Sequence, residues 1–129
     1  MNPYRQRVLS MMLELLEHHG AQPAALDFGS GDGWFAQQML AHGIVKDLTP
    51  LDIKRRQTVC VEPVVYAGGA VPYANGQFDL VYSVDVLHHC PNPTEQLIDI
   101  ARCSKHLLLI KDHTCSTPIG YAALALLDE

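Results

Sequence analysis

The feature that most constrains this chain is a glycine-rich turn between an apolar run and a helix-like segment. The run ends in a carboxylate, Asp27, and glycines follow at alternate positions: Gly29, Gly31 and Gly33. Glycine lets the backbone adopt φ > 0 and approach a ligand closely, and the N-terminus of the following helix offers unpaired N–H donors. The turn therefore predicts a nucleotide-binding loop. A dinucleotide fingerprint needs its third glycine where Trp34 stands, so the spacing disfavours NAD.

Length and composition predict one globular domain over residues 1–129. The net charge is −5, and the chain has no basic run interleaved with aromatic residues, so a large nucleic-acid surface is not expected. The amino-terminal segment carries charges that a signal-peptide core lacks, and the apolar run at 121–127 is too short to cross a bilayer. We expect a cytoplasmic protein that does not associate with membranes. Its cysteines are expected to be reduced thiols: Cys60, Cys90, Cys103 and Cys115.

Strand-like and helix-like segments alternate along the chain, which is typical of an α/β fold. Apolar residues at helical spacing predict helices over residues 4–19, 34–42 and 93–104 and from 118 to the end. Short apolar runs predict about five strands, at 24–28, 44–53, 64–67, 78–83 and 106–111. This order predicts a Rossmann-like parallel sheet with right-handed crossovers and helices on both faces. Pro50 makes the second strand the weakest of the five.

Three segments in this order resemble one family. The pattern Asp-x-Gly-x-Gly-x-Gly at the turn resembles motif I of the class I methyltransferases that use S-adenosylmethionine (SAM). The stretch at 69–89, which ends in Val-Leu-His-His, and the segment at 92–102 resemble the next motifs of the small-molecule branch of that family, the type 11 methyltransferases. The resemblance extends from about residue 26 to residue 112. It implies SAM as the cofactor and a small molecule as the methyl acceptor.

The chain departs from the family pattern in two places. Residues 54–63, where the family has a helix, are short, polar and proline-terminated, so we expect a loop. The family sheet has seven strands, of which the last two form an antiparallel pair, whereas five strands are predicted here. The fifth strand would then be an exposed apolar edge. The chain is then either a natural minimal form or a fragment, and the exposed edge favours a domain that is incomplete at its C-terminal end and lacks the antiparallel pair.

The resemblance implies that the cofactor lies against the ends of the first, second and fourth strands. The glycine turn would pass under the ribose and methionine part, Asp27 would orient the amino group, and Asp52 would bind the ribose hydroxyls. An acid about 20 residues after a glycine turn binds ribose in dinucleotide sites as well. The predicted cofactor-binding residues are Asp27, Gly29, Ser30, Gly31, Gly33, Asp52, Ile53, Gly69, Ala70, Ser83, Val84 and Leu87.

Several of these assignments have alternatives. Asp27 could simply cap the helix that follows, and Asp52 could be an exposed loop acid, with Asp47 in its place if the second strand were displaced. Ile53 is expected beside the adenine. Gly69, followed by Ala70, stands where the family often has an acid that contacts the adenine amino group, so that contact would be lost or made by the backbone.

The segment after the fourth strand is expected at the reactive end of the cofactor. The resemblance places the backbone of Ser83 and Val84 along the methionine moiety, with Leu87 or His88 near the reacting methyl group. His88 is the first candidate for an acceptor-side base because an imidazole titrates near neutral pH. The alternative is a structural histidine on a helix surface or in the core.

Asp112 and His113 follow the fifth strand, at the edge where open α/β sheets bind ligands. They could position or deprotonate an acceptor, and a structural role is the alternative. No metal site is expected, since the adjacent residues His88, His89 and Cys90 do not reproduce the usual ligand spacing of zinc.

The favoured hypothesis is a SAM-dependent methyltransferase that acts on a small molecule whose identity and methylated atom stay open. The alternative is a non-catalytic SAM-binding or interaction module, which would form a homodimer through its apolar C-terminal helix or its edge strand. An NAD-linked oxidoreductase rests on glycine richness and topology alone, and Trp34 counts against it.

Overall fold

A computed structural model describes residues 2–112 and 122–126 of the chain. A six-stranded sheet forms its centre, with the strand order β3-β2-β1-β4-β5-β6. The first five strands run parallel, and β6 is antiparallel to β5. The strands are β1 (Gln22–Phe28), β2 (Val45–Asp52), β3 (Val64–Val65), β4 (Phe78–Val84), β5 (Ser104–Lys111) and β6 (Ala122–Leu126).

Helices cover both faces of the sheet, as the alternation of segments predicts. The helices are α1 (Pro3–Glu17), α2 (Trp34–Ala41) and α3 (Pro93–Arg102), with a short 3-10 turn at Leu87–His89. α1 and α2 pack on one face through residues such as Met12 and Met39, and α3 packs on the other through Ile100. No helix within these described ranges is both long enough and apolar enough to cross a membrane.

Burial on both faces explains why β4 and β5 read as almost continuous apolar runs. Successive side chains of β5 alternate between the two cores: Leu107 and Leu109 lie on the face of α1, whereas Leu108 and Ile110 lie on the face of α3. The predicted parallel sheet is therefore confirmed.

The second strand is continuous through Pro50, although proline cannot donate to a strand ladder. The carbonyl of Leu51 accepts from the backbone N–H of Gly29 at 2.8 Å on the β1 side. The nitrogen of the preceding Pro50 therefore faces the β3 side, where pairing begins only at Leu51. The N–H that Pro50 lacks would therefore have no partner in the sheet, and the proline removes no hydrogen bond between strands.

The C-terminal segment corrects one expectation. A helix was predicted from residue 118, but residues 122–126 form β6, whose Leu124 pairs with Leu109 of β5. An apolar run of this length fits a helix or a strand, and the open apolar edge of β5 decides between them. That edge is thus covered rather than exposed, and a dimer through a C-terminal helix at 122–126 loses its basis. The remaining residues of the predicted helix lie outside the described ranges.

Residues 54–63 form an irregular loop, as expected. This loop lies against the glycine turn, where the backbone N–H of Cys60 donates to the carbonyl of Asp32 at 2.6 Å. Arg55 and Glu62, whose nitrogen and oxygen are 2.5 Å apart, join the two ends of the loop. The loop thereby holds its place beside the N-terminus of α2 without a helix.

Candidate functional site

A cavity of about 1090 Å³ opens at the edge of the sheet where the parallel strands end. β1 lies between β2 and β4, so the chain crosses from one half of the sheet to the other at this point, and α/β folds bind ligands in such crevices. Asp27, Asp52 and Asp85, at or just after the ends of β1, β2 and β4, all line the cavity. The site therefore presents three carboxylates from three neighbouring strands.

Two glycines of the turn are required by packing. Gly29 has φ +76°, and a Cβ there would lie 2.4 Å from a methyl carbon of Val86. Gly33 has φ +81°, and a Cβ there would lie 2.8 Å from the backbone nitrogen of Val61, in the loop at 54–63. Both positions combine a left-handed backbone with a neighbour that leaves no room for a side chain.

Gly31 and Ser30 face the cavity instead. The position of a Cβ at Gly31 meets only the end of the flexible Arg56 side chain, at 3.8 Å, so the absent side chain leaves space on the cavity side. The Ser30 hydroxyl oxygen is shielded from solvent and has no hydrogen-bond partner among the described residues. A shielded polar atom without a partner beside a cavity is a natural contact for a ligand.

Asp52 ties the glycine turn to the end of β2. One carboxylate oxygen accepts from the Gly31 N–H at 2.8 Å, and the other accepts from the Ile53 N–H at 2.7 Å. A carboxylate has about four acceptor sites, so it can bind ligand hydroxyls in addition. Asp47 is exposed in the first half of β2. The structure therefore does not support the alternative in which Asp47 takes the place of Asp52.

Asp27 and Tyr82 form a buried pair under the cavity. The Tyr82 hydroxyl donates to Asp27 at 2.9 Å, and the two residues are 0% and 4% exposed, respectively. Burial raises the pKa of Asp27 to about 7, against the opposing effect of the Tyr82 hydrogen bond. Burial also raises the pKa of Tyr82, with the charge of Asp27 adding to the effect. The carboxyl group of Asp27 therefore changes its charge near neutral pH.

Tyr4, Asp85 and Lys111 form a second polar cluster, which the sequence analysis did not find. Lys111, only 2% exposed, lies 2.9 Å from Asp85 and also donates to the Tyr4 hydroxyl, which in turn donates to Asp85. Burial and the hydrogen bond to Asp85 raise the pKa of Tyr4, so its hydroxyl keeps its proton at neutral pH. The place of Asp85 after β4 was a usable signal, since ligands bind at strand ends. Nothing in the sequence pointed to Tyr4.

Three cationic residues line the cavity: Arg5, Lys54 and Arg56. Arg5 of α1 forms an ion pair with Asp32 of the glycine turn at 3.0 Å and lies 5.5 Å from the centre of the Trp34 ring. Arg56 reaches the wall from the loop at 54–63. The acidic floor of the cavity is therefore bordered by positive charge at its opening.

The other predicted cofactor residues divide into two groups. Those that line the cavity, besides the residues already described, are Ile53, Gly69 and Val84. Those that do not line it are Gly33, Ala70, Ser83 and Leu87. Ser83 lies within the sheet, 1% exposed, and its hydroxyl has no partner among the residues that the structure describes. Leu87 is buried with the core on the α3 face.

Two of the predicted acceptor-side residues, His88 and Asp112, bond to each other. His88 bonds to Asp112 through its ring nitrogen Nδ1, and its backbone N–H donates to the same carboxylate at 3.2 Å. Neither residue lines the cavity, whereas the neighbouring His89 does. His113 lies outside the described residues. In the described part of the chain, no three His, Cys, Asp or Glu side chains converge as a metal site would require.

Comparison with known proteins identifies the fold. A family model described as a methyltransferase domain matches residues 1–126. Similar solved structures include the YcgJ protein from Bacillus subtilis, with 23% identity and a TM-score of 0.68 over 84% of this chain and 51% of that one. A SAM-dependent methyltransferase from Aquifex aeolicus matches with 17% identity and a TM-score of 0.64, over 92% of this chain and 73% of the other.

The cyclase SpnF has the same fold, with 15% identity and a TM-score of 0.64 over 84% of this chain and 47% of its own. At such identities, structural similarity establishes the fold rather than the reaction. This chain spans about half the length of several of these structures. No curated protein matches it at a significant level.

Proposed function

We propose that this chain, which belongs to the methyltransferase domain family, binds SAM in the cavity at the carboxyl edge of its sheet and methylates a small-molecule acceptor. The observation that carries the proposal is the arrangement of the glycine turn between two carboxylates, Asp27 and Asp52, over a cavity of suitable size. Ligand sites commonly enclose about 300–1,000 Å³, and the volume here is about 1090 Å³.

The residues present fit this cofactor. Gly31 leaves open space on the cavity side, and the hydroxyl of Ser30 is shielded and available to a ligand atom. SAM carries a cationic sulfonium and an amino group, which suit a cavity with several carboxylates. The match between an acidic floor and a cationic ligand supports the assignment.

Each carboxylate has a proposed role. Asp52 would bind the ribose hydroxyls, and Asp27 would hold the amino group. Exposed apolar surface at Ile53, 60% exposed, would pack on the adenine beside Gly69. Gly33, Ala70, Ser83 and Leu87 would act from behind the cavity wall by shaping the backbone that contacts the cofactor.

Bound SAM supplies an activated methyl group, so the protein has mainly to align the reactants and exclude water. The rigid ends of the parallel strands provide that alignment, because the side chains that face the ligand are fixed by buried backbone. The roles of His88, Asp112 and His113 near the acceptor stay predictions. The pairing of His88 with Asp112 supports a role in holding the turn that carries His89.

Calorimetric titration with SAM and with S-adenosylhomocysteine tests the proposal, with NADH as the control ligand. Asp52→Asn should weaken SAM binding by about 10- to 100-fold, because it removes hydrogen bonds to a charged acceptor. Asp47→Asn is the matched control, since it makes the same change on the same strand at an exposed site, and it should bind as the native chain does.

Equal SAM affinity in the two variants would show that the cofactor site is misassigned. A folded native chain that does not bind SAM would contradict the proposed function altogether. SAM binding without any methyl transfer would instead identify a non-catalytic SAM-binding module.

A further inference from the structure

Three elements that are far apart in the sequence bring one polar side chain each to the same end of the cavity. Tyr4 comes from the first turn of α1, Asp85 follows β4, and Lys111 ends β5. Asp85 accepts from the Tyr4 hydroxyl through one carboxylate oxygen and from Lys111 through the other. Tyr4 and Asp85 both line the cavity, so the cluster forms part of the cavity wall.

The backbone of Asp85 is unusual. Its φ of +58° is the only positive value at a non-glycine residue among those the structure describes. The backbone N–H of Asp85 donates to the carbonyl of Lys111 at 2.7 Å, which fixes this conformation. Such conformations persist where the surroundings hold them, and they concentrate at ligand sites. The left-handed turn directs the chain after β4 across the cavity.

The burial of Lys111 calls for an explanation other than stability. A buried ion pair rarely stabilises a fold more than apolar residues of the same size would, because both charges lose their hydration. Lys111 follows four apolar residues of β5 and is itself 2% exposed. The pair therefore places the carboxyl group of Asp85 at the cavity wall, although apolar residues in place of both partners could stabilise the fold as well.

The cluster lies at the opposite end of the cavity from the proposed ribose site. Asp52 ends β2, Asp27 is the last residue but one of β1, and Asp85 follows β4. These three strands are neighbours in that order. Adjacent strands are about 4.8 Å apart, so Asp52 and Asp85 are separated by roughly 10 Å along the edge of the sheet. A cofactor that spans from Asp52 past Asp27 would present its reactive end towards Asp85.

We propose that Tyr4 and Asp85 form the acceptor site, and that the acceptor is a small alcohol, phenol or amine whose nucleophilic O–H or N–H donates to Asp85. Lys111 is a positioning residue that holds Asp85 and Tyr4 in place. This inference rests on the proposed function, since it assumes that SAM occupies the other end of the cavity.

The proton balance explains why a carboxylate is useful there. As the oxygen or nitrogen of the acceptor bonds to the methyl carbon, the carbon–sulfur bond breaks and its electron pair stays on sulfur. The acceptor then has one proton too many, and Asp85 receives it before it passes to solvent. No further reactant is needed.

Amide NMR spectra of the chain saturated with S-adenosylhomocysteine test this assignment. Phenol and benzylamine are the donor probes, and anisole is the matched probe that lacks an acidic proton. Phenol or benzylamine should shift the amide signals of Tyr4, Asp85 and Val86 and bind at least about tenfold more tightly than anisole, because only the donors can hydrogen-bond to Asp85.

Two variants separate recognition from folding. Asp85→Asn keeps the side-chain shape and tolerates the left-handed backbone, and Tyr4→Phe keeps the ring. Each should abolish the preference for donor probes while S-adenosylhomocysteine affinity stays within about twofold of native. With tritiated SAM, Asp85→Asn should lower the kcat for any probe methylated by about 100-fold, as expected for loss of a proton acceptor.

The outcomes distinguish this proposal from the one on which it rests. A native chain that fails to bind S-adenosylhomocysteine overturns both. Cofactor binding with no probe shifts at these amides, or with anisole bound as well as phenol, overturns the acceptor site alone. An Asp85→Asn variant that keeps the donor preference and the native kcat would overturn it too, and so would loss of donor preference in Asp47→Asn.

Discussion

At the scale of single residues, Asp27 makes the stability of the fold depend on pH. Its pKa rises from 3.8 to about 7 because the carboxyl group is buried. Between about pH 4 and pH 7 the folded chain therefore holds a proton that the unfolded chain has lost. Stability of the ligand-free chain must fall as the pH rises through this range, by up to about 1.4 kcal/mol per pH unit from this group.

Replacing Asp27 by asparagine should remove that dependence, since the amide has nearly the same shape and does not ionise. The measurement is the free energy of unfolding in urea at pH 5 and at pH 7. The stability of Asp27→Asn relative to the native chain should be about 2 kcal/mol higher at pH 7 than at pH 5. Asp47→Asn should follow the native chain. If Asp27→Asn showed the native pH dependence, the buried carboxyl group would already be ionised at pH 5.

At the scale of elements, the glycine turn and the segment after β4 are built against each other. Gly29 and Val86 leave no space for a methyl group between them, and neither do Gly33 and the loop at 54–63. The glycine motif is therefore a packing requirement at two positions and part of the cavity wall at the third. A single consensus pattern in the sequence serves two physical purposes.

The variant Gly29→Ala tests how much stability is lost when a methyl group is placed against Val86. Gly43 is the matched control, because its φ is +73° and a Cβ there would meet nothing within 4 Å among the described residues. Both alanine variants should lose about 1–2 kcal/mol of unfolding free energy to the left-handed backbone, and Gly29→Ala should lose a further 1–3 kcal/mol, approximately, to overpacking.

The double variant Gly29→Ala, Val86→Ala should lose less unfolding free energy than the two single variants lose in sum, by about 1 kcal/mol or more. The measurement is a double-mutant cycle of urea unfolding. Strict additivity would show that Val86 moves aside without cost and that the turn is looser than the contact implies.

At the scale of the whole molecule, the sheet ends at β6. Its backbone pairs with the apolar strand β5, so Leu108 and Leu109 lie inside the sheet rather than at its edge. An open apolar edge of that length would invite pairing with another chain. The antiparallel strand therefore covers an edge at which another chain could otherwise pair.

Proline substitutions at adjacent positions of β6 test this pairing. Neighbouring N–H groups of a strand point in opposite directions, so one of Ala123→Pro and Leu124→Pro removes a bond to β5 and the other removes an outward donor. The variant that loses the hydrogen bond to β5 should cost about 1–3 kcal/mol more of unfolding free energy in urea than the variant that loses the outward donor. Equal costs would contradict the β5–β6 ladder.

Sequence patterns determined most of the architecture, and together with the family resemblance they predicted the cofactor half of the candidate site. The alternation of strands and helices and the glycine turn were predictable because each depends on local spacing, and the family resemblance pointed to Asp27 and Asp52. Apolar runs mark buried parallel strands, and left-handed turns need glycine. The cofactor hypothesis followed from these local rules together with the family resemblance.

Tertiary structure alone decided the rest. Whether residues 122–126 are helix or strand depends on the free edge of β5, which exists only once the sheet has formed. The cluster of Tyr4, Asp85 and Lys111 joins residues up to 107 positions apart. Local sequence patterns do not predict contacts between residues so far apart. Burial likewise raises the pKa of Asp27, because loss of hydration depends on the surrounding fold and not on neighbours in the chain.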